Sequence, residues 1–409
     1  WNVSGAWNVH EESFFPKLKP LSSLTFRVSY SLTGTPPDAS YCNALTKLSM
    51  NTPYRPTTTD KELGFVVAAL GNDELTYEKK HEFNFGVDAG FFNNRLNVTF
   101  DVYQRRNFDE IAPTVTQLYG TAYANVGSMK SWGEELSISS TNVKTNDFSW
   151  QTSLIYSHNR TEITNLYNQG RVIDLVQGNG FAKQGYPARA LFSIPFVGIN
   201  EKGNPVCINE KGQATVGDLN FQERNNTDYL IYEGSTDPIY NGSLGNTFNY
   251  KGFHLNLFLT YAFGNVVRLD PVFKAKYNDL TSMNHDFKNR WMQPGDENVT
   301  NVPGVVSRYE YEQNRTLLNT AYNAYNYTSV RTAKGDFIRL KEISLAYDFP
   351  HRWLENSPVN NISLKLQATN LMLLYADKKL NGQDPEFMNA GGVASPMPKQ
   401  FTLTLKLGL

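Results

Sequence analysis

The residue types that most often perform catalysis are scattered along this chain. The histidines show neither a His-Glu-x-x-His pattern nor a Cys/His spacing suited to zinc, and no Gly-x-Ser-x-Gly turn is present. Glu134 and Glu135 are adjacent. Neighbours on a strand point to opposite faces, so this pair does not suit acid–base catalysis. The sequence therefore predicts no enzyme, no metal site and no cofactor.

Aromatic and polar side chains in one long loop are better candidates for binding a ligand. An aromatic ring can stack on a sugar, and amide or guanidinium groups can hydrogen-bond hydroxyls or a peptide backbone. The alternative is that these side chains pack the loop on itself or against whatever covers it. The candidate residues are Arg290, Trp291, Tyr322, Asn323, Tyr325 and Tyr327.

The composition limits the class of protein. The 409 residues carry a formal net charge of -1, and this balance gives no reason to expect a nucleic-acid partner. Aromatic residues make up 13% of a chain whose mean hydropathy is -0.45. Each strand of a membrane barrel needs only one apolar face, so polarity with many aromatics is typical of such barrels. We find no apolar run of roughly 18 to 20 residues, as a transmembrane helix would need.

The amino terminus and the cysteines give little information about the fold or the function. The chain opens at Trp1 with neither a basic segment nor an apolar one, so we expect a mature protein or a fragment lacking its amino-terminal part. Cys42 and Cys207 are far apart and do not make a disulfide framework. The sequence leaves open whether they pair.

Alternation with a period of two is the dominant pattern. Leu403, Leu405 and Leu407 share one face of the last segment, while Thr404 and Lys406 share the other. One segment changes phase, and a β-bulge near Lys341-Glu342 explains the change. Similar alternation runs through 24–30, 83–89, 96–103, 148–156, 253–261 and 362–368.

The polar faces carry charged and amide side chains rather than small packing residues. In a membrane barrel such faces line a wet lumen, and we expect Arg27, Asp88, Asp101 and Lys365 to point there. Aromatic residues near the ends of the strands suit girdles at the two membrane interfaces. These are Tyr30, Phe92, Tyr103, Tyr250, Tyr261 and Phe349.

The predicted connections are of two kinds, tight turns on one side and long loops on the other, as in outer-membrane barrels. We expect about twelve strands and only one or two helical turns, within the last long loop. A meander of this size leaves two open edges, so it must close on itself or be completed by more of a barrel. Tight turns fall at 91–95 and 249–252, and long loops near 33–76, 106–125, 161–190, 200–238 and 264–332.

Motifs along most of the chain resemble the carboxy-terminal barrel half of SusC/RagA-type TonB-dependent importers. Each motif is weak alone, but they occur in one order. Leu409 stands where the family usually has an aromatic residue, and an apolar residue is expected to serve there. The motifs are Trp1–Trp7, Glu11–Phe14, Ser29–Gly34, Leu70–Glu78, Phe85–Asp88, Asn93–Leu96, Asp101–Tyr103, Asn125–Met129, Gly133–Leu136, Asp336–Lys341, Leu345–Tyr347, Thr369–Leu371, Asp384–Glu386 and the segment from Phe401.

The resemblance implies an all-β fold, a transmembrane antiparallel up-and-down β-barrel. Residues 1–409 would form about half of a 22-stranded barrel, with the plug and the TonB-contacting segment upstream of Trp1. It further implies a multi-pass protein of the bacterial outer membrane, in contact with the lipid bilayer. Such a protein imports oligomeric nutrients, glycan or peptide, with a SusD-like surface lipoprotein as a lid and with the TonB system. Pairs of importer and lid would form dimers.

Two other functions fit the same sequence. One is a SusC-like barrel that serves as a scaffold in a larger outer-membrane assembly, and an intact upstream TonB-contacting segment would argue against it. The other is a soluble secreted β domain that binds glycans, in which the apolar strand faces would pack against each other. Strands with an apolar face beside a charged face argue against that domain.

Overall fold

The computed structural model describes residues 1–15, 20–38, 45–51, 64–116, 120–277, 283, 285–355, 358–390 and 398–408. Cys42 and Leu409 lie outside these residues. The helices are α1 (Val172–Val176), α2 (Arg308–Gln313) and α3 (Arg315–Asn326), with short 3-10 turns in the connections. The strands are β1 (Asn2–Asn8), β2 (Leu21–Thr35), β3 (Lys47–Asn51), β4 (Gly64–Ala69), β5 (Glu78–Phe91), β6 (Leu96–Thr116), β7 (Gly120–Lys144), β8 (Phe148–Leu166), β9 (Ala190–Ser193), β10 (Phe196–Ile199), β11 (Pro205–Ile208), β12 (Ala214–Thr215), β13 (Ile231–Ser235), β14 (Tyr240–Tyr250), β15 (Phe253–Phe263), β16 (Val266–Arg268), β17 (Thr332–Lys334), β18 (Phe337–Asp348), β19 (Asn361–Ala376) and β20 (Gln400–Gly408).

Eleven of these strands form one antiparallel sheet, which we call the wall. Its order is β1-β2-β5-β6-β7-β8-β14-β15-β18-β19-β20, so every strand pairs with the next wall strand along the chain. The sheet does not close within the described residues, where β1 and β20 are its two edges. The predicted all-β up-and-down barrel architecture is confirmed, and the eleven strands agree with the expected count of about twelve.

The two ends of the wall differ. At one end the tight turns at Phe92–Arg95 and Lys251–Gly252 are confirmed, and both use backbone conformations with positive φ. Lys251 at φ 47° and Gly252 at φ 90° give the type I′ geometry that matches the twist of a hairpin. At the other end lie the long connections. In outer-membrane barrels the short turns are periplasmic and the long loops are extracellular. By this rule the tight-turn end of the wall is expected to be periplasmic.

One face of the wall is apolar and exposed. Leu403 is 68% exposed and Leu405 59%, although both are strand residues in regular pairing. A row of seven apolar or aromatic residues and one glycine crosses eight strands at one height, because each residue is paired with the next in register. The row is Phe26, Val87, Phe100, Leu136, Tyr156, Gly242, Tyr261 and Ile338. An apolar face turned outwards is what a bilayer requires.

The bulge predicted at Lys341-Glu342 is confirmed. Phe258 pairs with Glu342 and Leu259 with Leu340, so Lys341 is the extra residue. Through this slip Leu340 and Ile343 both reach the apolar face. The girdle position expected for Tyr103 is wrong. Its ring is buried on the polar face, where it lies over Gly133 and its hydroxyl donates to Asn159 over 3.1 Å.

Residues 106–125, expected to be a loop, instead continue a hairpin. β6 and β7 pair as far as Thr116 and Gly120. Their neighbours stop earlier. β5 pairs with β6 only as far as Phe108, and β8 pairs with β7 only as far as Gly127. The last part of this hairpin is therefore a two-stranded ribbon beyond the neighbouring wall strands, and the segment 72–78 braces it. The Asn72 amide donates to the Tyr123 carbonyl over 2.8 Å, and the Glu78 carboxylate accepts from the Ile111 N–H over 2.9 Å.

The segments 167–239 and 264–336 fold together, and we call them the cap. The first contains α1 and strands β9 to β13, and the second contains β16, β17, α2 and α3. The expectation of only one or two helical turns is wrong, because α3 alone has 12 residues. Leu318, Ala321, Tyr322 and Tyr325 recur at helical spacing along α3, and their burial explains the helix. No described helix has the length and apolar character to cross a membrane.

Candidate functional site

The cap has a core of its own. Val176, Phe192 and Ile194 are at most 1% exposed and pack with Cys207 and with Ala324 of α3. This core joins the two segments of the cap, and a parallel bridge between Ile194 and Thr328 adds a backbone link. Burial raises the pKa of the Cys207 thiol to about 12. Cys207 is free, buried and unreactive, so the cap is a folded unit rather than a set of loose loops.

Arg268 ties the same two segments together by hydrogen bonds. Its guanidinium donates to the carbonyl of Thr328 over 2.7 Å, to the carbonyl of Phe192 over 2.6 Å and to the Ser193 hydroxyl over 3.0 Å. Burial lowers the pKa of Arg268 to about 10, so the group stays protonated at neutral pH. A buried cation that donates to two carbonyls and a hydroxyl fixes the position of β9 against the turn after α3.

An open cavity of about 480 Å³ lies along α3. We call it the α3 cavity. Its size falls in the range of about 300 to 1,000 Å³ typical of small-molecule sites. One side of it is α3 and the other is the segment 271–277. The lining residues are Pro271, Phe273, Lys274, Ala275, Lys276, Tyr277, Tyr311, Asn319, Tyr322, Asn323 and Asn326.

Two of the residues predicted to bind substrate, Tyr322 and Asn323, line this cavity. Asn323 is exposed and makes its amide available. Tyr322 is 1% exposed, and its hydroxyl donates to the carbonyl of Gly304 over 2.5 Å. Burial raises the pKa of Tyr322, which therefore stays neutral. Tyr322 forms the floor of the cavity, and Asn323 lies at its open side.

Tyr325 lies elsewhere on the helix. It is 2% exposed, stacks edge-on against Phe273 at 5.1 Å and borders a second, smaller cavity of about 270 Å³. Burial raises the pKa of this phenol as well. In this structure the Tyr325 ring packs the cap, which is the alternative that the sequence left open.

The other three predicted residues also make contacts within the cap. The Trp291 indole donates to Glu297 over 2.9 Å and lies against Gly203 and Gly304. Gly203 has φ 78°, and a Cβ there would approach the indole to 2.4 Å, so only glycine fits. Tyr327 packs on the cap core beside Phe221.

Arg290 is half-buried, and its guanidinium lies 4.5 Å from the centre of the Phe287 ring. That ring in turn contacts Tyr277 of the α3 cavity at 5.0 Å. Arg290 is thus one ring removed from the cavity. The structure therefore brings together Tyr322 and Asn323 directly and Arg290 through Phe287, but not Trp291, Tyr325 or Tyr327.

The charged residues predicted for the lumen cluster on the polar face of the wall. The Arg27 guanidinium donates to Asp88 over 2.6 Å and to Asp101 over 3.0 Å, and Thr99 donates to Asp88. Lys365 lies 3.9 Å from Glu342 on the same face. These pairs neutralise one another within the face that is opposite the apolar one. That this face lines the lumen stays a prediction.

Two further observations concern catalysis and metal binding by the described residues. Glu134 pairs with Val102 and Glu135 with Asp101, so the two carboxylates lie on opposite faces of β7. Among the described residues no three His, Cys, Asp or Glu side chains come together as a metal site.

Sequence reasoning missed several residues that matter here. Lys274, Lys276, Tyr277, Tyr311 and Asn319 line the α3 cavity without having been singled out. Arg268 was missed because nothing local marks an arginine as buried. The helical spacing of Leu318, Ala321, Tyr322 and Tyr325 was a usable signal, because that pattern indicates packing rather than ligand contact.

Comparison with known proteins gives relatives over most of the chain, although no family model matches it. The chain is 25% identical over 398 residues to the TonB-dependent receptor P3 of Formosa agariphila, covering 93% of this chain and 37% of the relative. It is 24% identical over 430 residues to the TonB-dependent receptor SusC of Bacteroides thetaiotaomicron, covering 98% and 39%. The chain thus spans about two-fifths of the length of the curated relatives it matches.

Solved structures share the fold. The RagAB peptide transporter superposes with a TM-score of 0.75 at 24% identity, covering 99% of this chain and 43% of that one. A RagAB peptide importer in a closed-closed state gives a TM-score of 0.76. The arrangement of wall and cap is therefore one that occurs in an experimental structure.

Proposed function

We propose that this chain is a SusC/RagA-like part of a TonB-dependent receptor barrel in the outer membrane, and that the whole protein imports oligomeric nutrients. Its similarity over most of its length to TonB-dependent receptors and to the RagAB transporter supports this. One observation carries the proposal: a folded cap with an open cavity lies at the long-loop end of a wall that is apolar on one face and charged on the other. A pore protein that only leaks small solutes has no need of such a cavity. An importer that must hold its cargo before transport does.

In the proposed mechanism the α3 cavity makes one of the first contacts with the cargo. Asn323 and Asn319 are exposed and can hydrogen-bond to hydroxyls or to a peptide backbone. Tyr322 gives the cavity an aromatic floor. Arg290 adds positive charge behind Tyr277. Trp291, Tyr325 and Tyr327 act indirectly, because they hold the shape of the cap.

The partners belong to the same proposal. We infer a SusD-like surface lipoprotein that covers the long-loop end, and the TonB system acting from the periplasmic side. Two such importer and lid units would form a dimer. The RagAB protein, a peptide transporter or importer, supports import of an oligomer. We infer no enzymatic activity, since the cavity brings together phenols, amides and lysines without a nucleophile paired to a base.

The first experiment is to extract the full-length protein from native outer membrane in mild detergent and identify by mass spectrometry what co-purifies. A SusD-like lipoprotein with bound oligosaccharide or peptide is the expected result. Assembly or secretion proteins without a small ligand would overturn the importer and favour a scaffold.

The cavity is tested by substitution. We expect Asn323→Ala combined with Tyr311→Ala to lower uptake of the identified cargo, because both change the lining of the cavity. Asn225→Ala is the matched control, since Asn225 is an exposed cap residue away from that cavity. Equal uptake by the double variant and the control would exclude the α3 cavity from the transport path.

A further inference from the structure

The charge of the α3 cavity is one-sided. Lys274 and Lys276 both line it, and none of its described lining residues is an aspartate or glutamate. The remaining polar groups are neutral phenols and amides. Among the causes that raise the pKa of Tyr322, the Glu310 carboxylate comes last, behind burial and Tyr277. The cavity therefore presents cations to a ligand and few groups that would repel an anion.

Lys274 and Lys276 are not among the cap cations that pair with a described carboxylate. Lys183 pairs with Asp228 at 3.0 Å and Arg331 with Asp286 at 3.1 Å. Lys274 and Lys276 are exposed and make no ion pair with any described residue. The Lys276 ammonium lies 5.6 Å from the centre of the Tyr311 ring, which keeps it at the cavity. Two lysines without a described ion pair thus lie where the cavity opens.

The neutral lining indicates what kind of anion fits. Tyr311 and Tyr277 are half-buried, so each offers part of a ring face for stacking. Asn319 and Asn323 are exposed side-chain amides on α3, one turn apart, which suits a row of hydroxyls. A peptide bound in extended form would gain most from an unpaired strand edge. One wall of the cavity is a helix, which offers no such edge.

We propose that the α3 cavity is a subsite for an anionic oligosaccharide, one that carries uronate carboxylates or sulfate esters. The negative group binds between the Lys274 and Lys276 ammonium groups. The sugar ring stacks on Tyr311 or Tyr277, and its hydroxyls bond to Asn319 and Asn323. This inference rests on the proposed import function and specifies the class of cargo.

The test is calorimetric titration of the full-length protein with three probes: an oligouronate, the same oligosaccharide with its carboxyls reduced to alcohols, and an oligoglutamate of similar charge. The oligouronate is expected to bind, and the reduced form to bind at least about tenfold more weakly. Raising the ionic strength to about 1 M should weaken binding of the oligouronate, because the Debye length falls to about 3 Å. Equal binding of charged and reduced sugars, or tighter binding of oligoglutamate, would overturn the proposal.

Substitutions test whether Lys274 and Lys276 cause the charge-dependent binding. Lys274→Gln with Lys276→Gln should lower affinity for the oligouronate about tenfold and leave the reduced sugar unaffected. Lys202→Gln is the matched control, as Lys202 is another exposed lysine of the cap and does not line the cavity. If the double variant binds the oligouronate as the control does, the subsite is wrong. Unchanged resistance of Cys207 to alkylation shows that the variant is folded.

Uptake by whole cells separates this inference from the proposed function. If cells import the charged and the reduced sugar equally well, the proposed subsite is wrong and the proposed import function is still supported. Charge-selective binding that depends on both lysines, without any uptake, supports the subsite and overturns the importer.

Discussion

The wall and the cap bury their apolar residues according to opposite rules. Leu403 and Leu405 of the wall are more than half exposed, whereas Phe192 and Leu318 of the cap are 1% exposed. The wall carries its charges on the face opposite the leucines, and the cap carries most of its charges outside a closed core. The wall is thus organised for lipid on one side and water on the other, while the cap is organised as a water-soluble domain.

This difference shows that two regions of one chain can be stabilised by different interactions. The wall relies on backbone pairing along its strands and on cross-strand contacts such as that of Phe253 with Tyr347, whose ring centres lie 4.4 Å apart. Its apolar face needs lipid rather than a packed core to cover it. The cap relies on side-chain packing and on buried hydrogen bonds. Substitutions that are severe in one region should therefore be mild in the other.

The largest effect is expected from Phe192→Ala in the cap core. Loss of a fully buried aromatic ring should cost about 3–5 kcal/mol. Cys207 belongs to the same cluster, so the rate of its alkylation in a Cys42→Ser background reports local opening. The matched control is Phe181→Ala, because Phe181 is a cap phenylalanine that is 40% exposed. Alkylation that is as slow in Phe192→Ala as in the control would show that the cap is not held by this core.

A comparable loss is expected from Arg268→Met. Each buried group left without its partner costs about 1–3 kcal/mol, and we expect about 3 kcal/mol for the three bonds that are lost. Hydrogen exchange of the β9 amides should become faster. Arg189→Met is the control, because its partner Asp237 is 54% exposed and such pairs contribute little. If both variants exchange alike, the cap does not depend on Arg268.

On the wall, Leu257→Arg should cost about 2–4 kcal/mol, since a charge near the middle of the apolar face meets lipid. Asn256→Arg, one residue away on the polar face, should be far milder. Unfolding of the full-length protein by urea in lipid vesicles measures both. Equal damage at the two positions would contradict the assignment of faces on β15.

The smallest effect is expected for Arg27→Gln on the polar face of the wall. Arg27 and Asp88 are 38% and 40% exposed, so solvent screens their attraction and the pair contributes about 0–1 kcal/mol. A double-mutant cycle with Asp88→Asn in the same urea experiment isolates this contribution. A coupling well above that range would mean that the polar face is as dry as the cap core.

The sequence predicted the wall far better than the cap for a physical reason. Pairing along a strand repeats every two residues, so the face of Leu257 or Arg27 can be inferred from its neighbours. Even the phase change at Lys341 was visible as a break in that repeat. The ribbon at 106–125 was missed because its apolar residues Phe108 and Ile111 are out of phase across the bulge at Asp109, so no period of two runs through it.

The cap resisted prediction because its contacts are not local. Arg268 bonds to Phe192 and Thr328, which are 76 and 60 residues away in the chain. No periodic pattern marks such a partner. The aromatic residues of α3 were recognised as important, but only helical spacing separates Tyr325, which packs, from Asn323, which faces the cavity.

The ribbon of β6 and β7 behaves mechanically as a beam that is fixed in the wall and braced along one side by the segment 72–78, where Asn72 bonds to the Tyr123 carbonyl. It extends about 25 Å beyond the strands that support it, and a two-stranded ribbon has little stiffness of its own. At its base the bulge at Asp109, with φ 58°, interrupts the ladder, while the Asn125 amide clamps the Asp109 carbonyl over 2.7 Å. A load on the ribbon is therefore shared between the bulge at Asp109 and the bonds to the segment 72–78. The Asn125 amide donates to the carbonyls of both Thr76 and Asp109, so it transmits force between them.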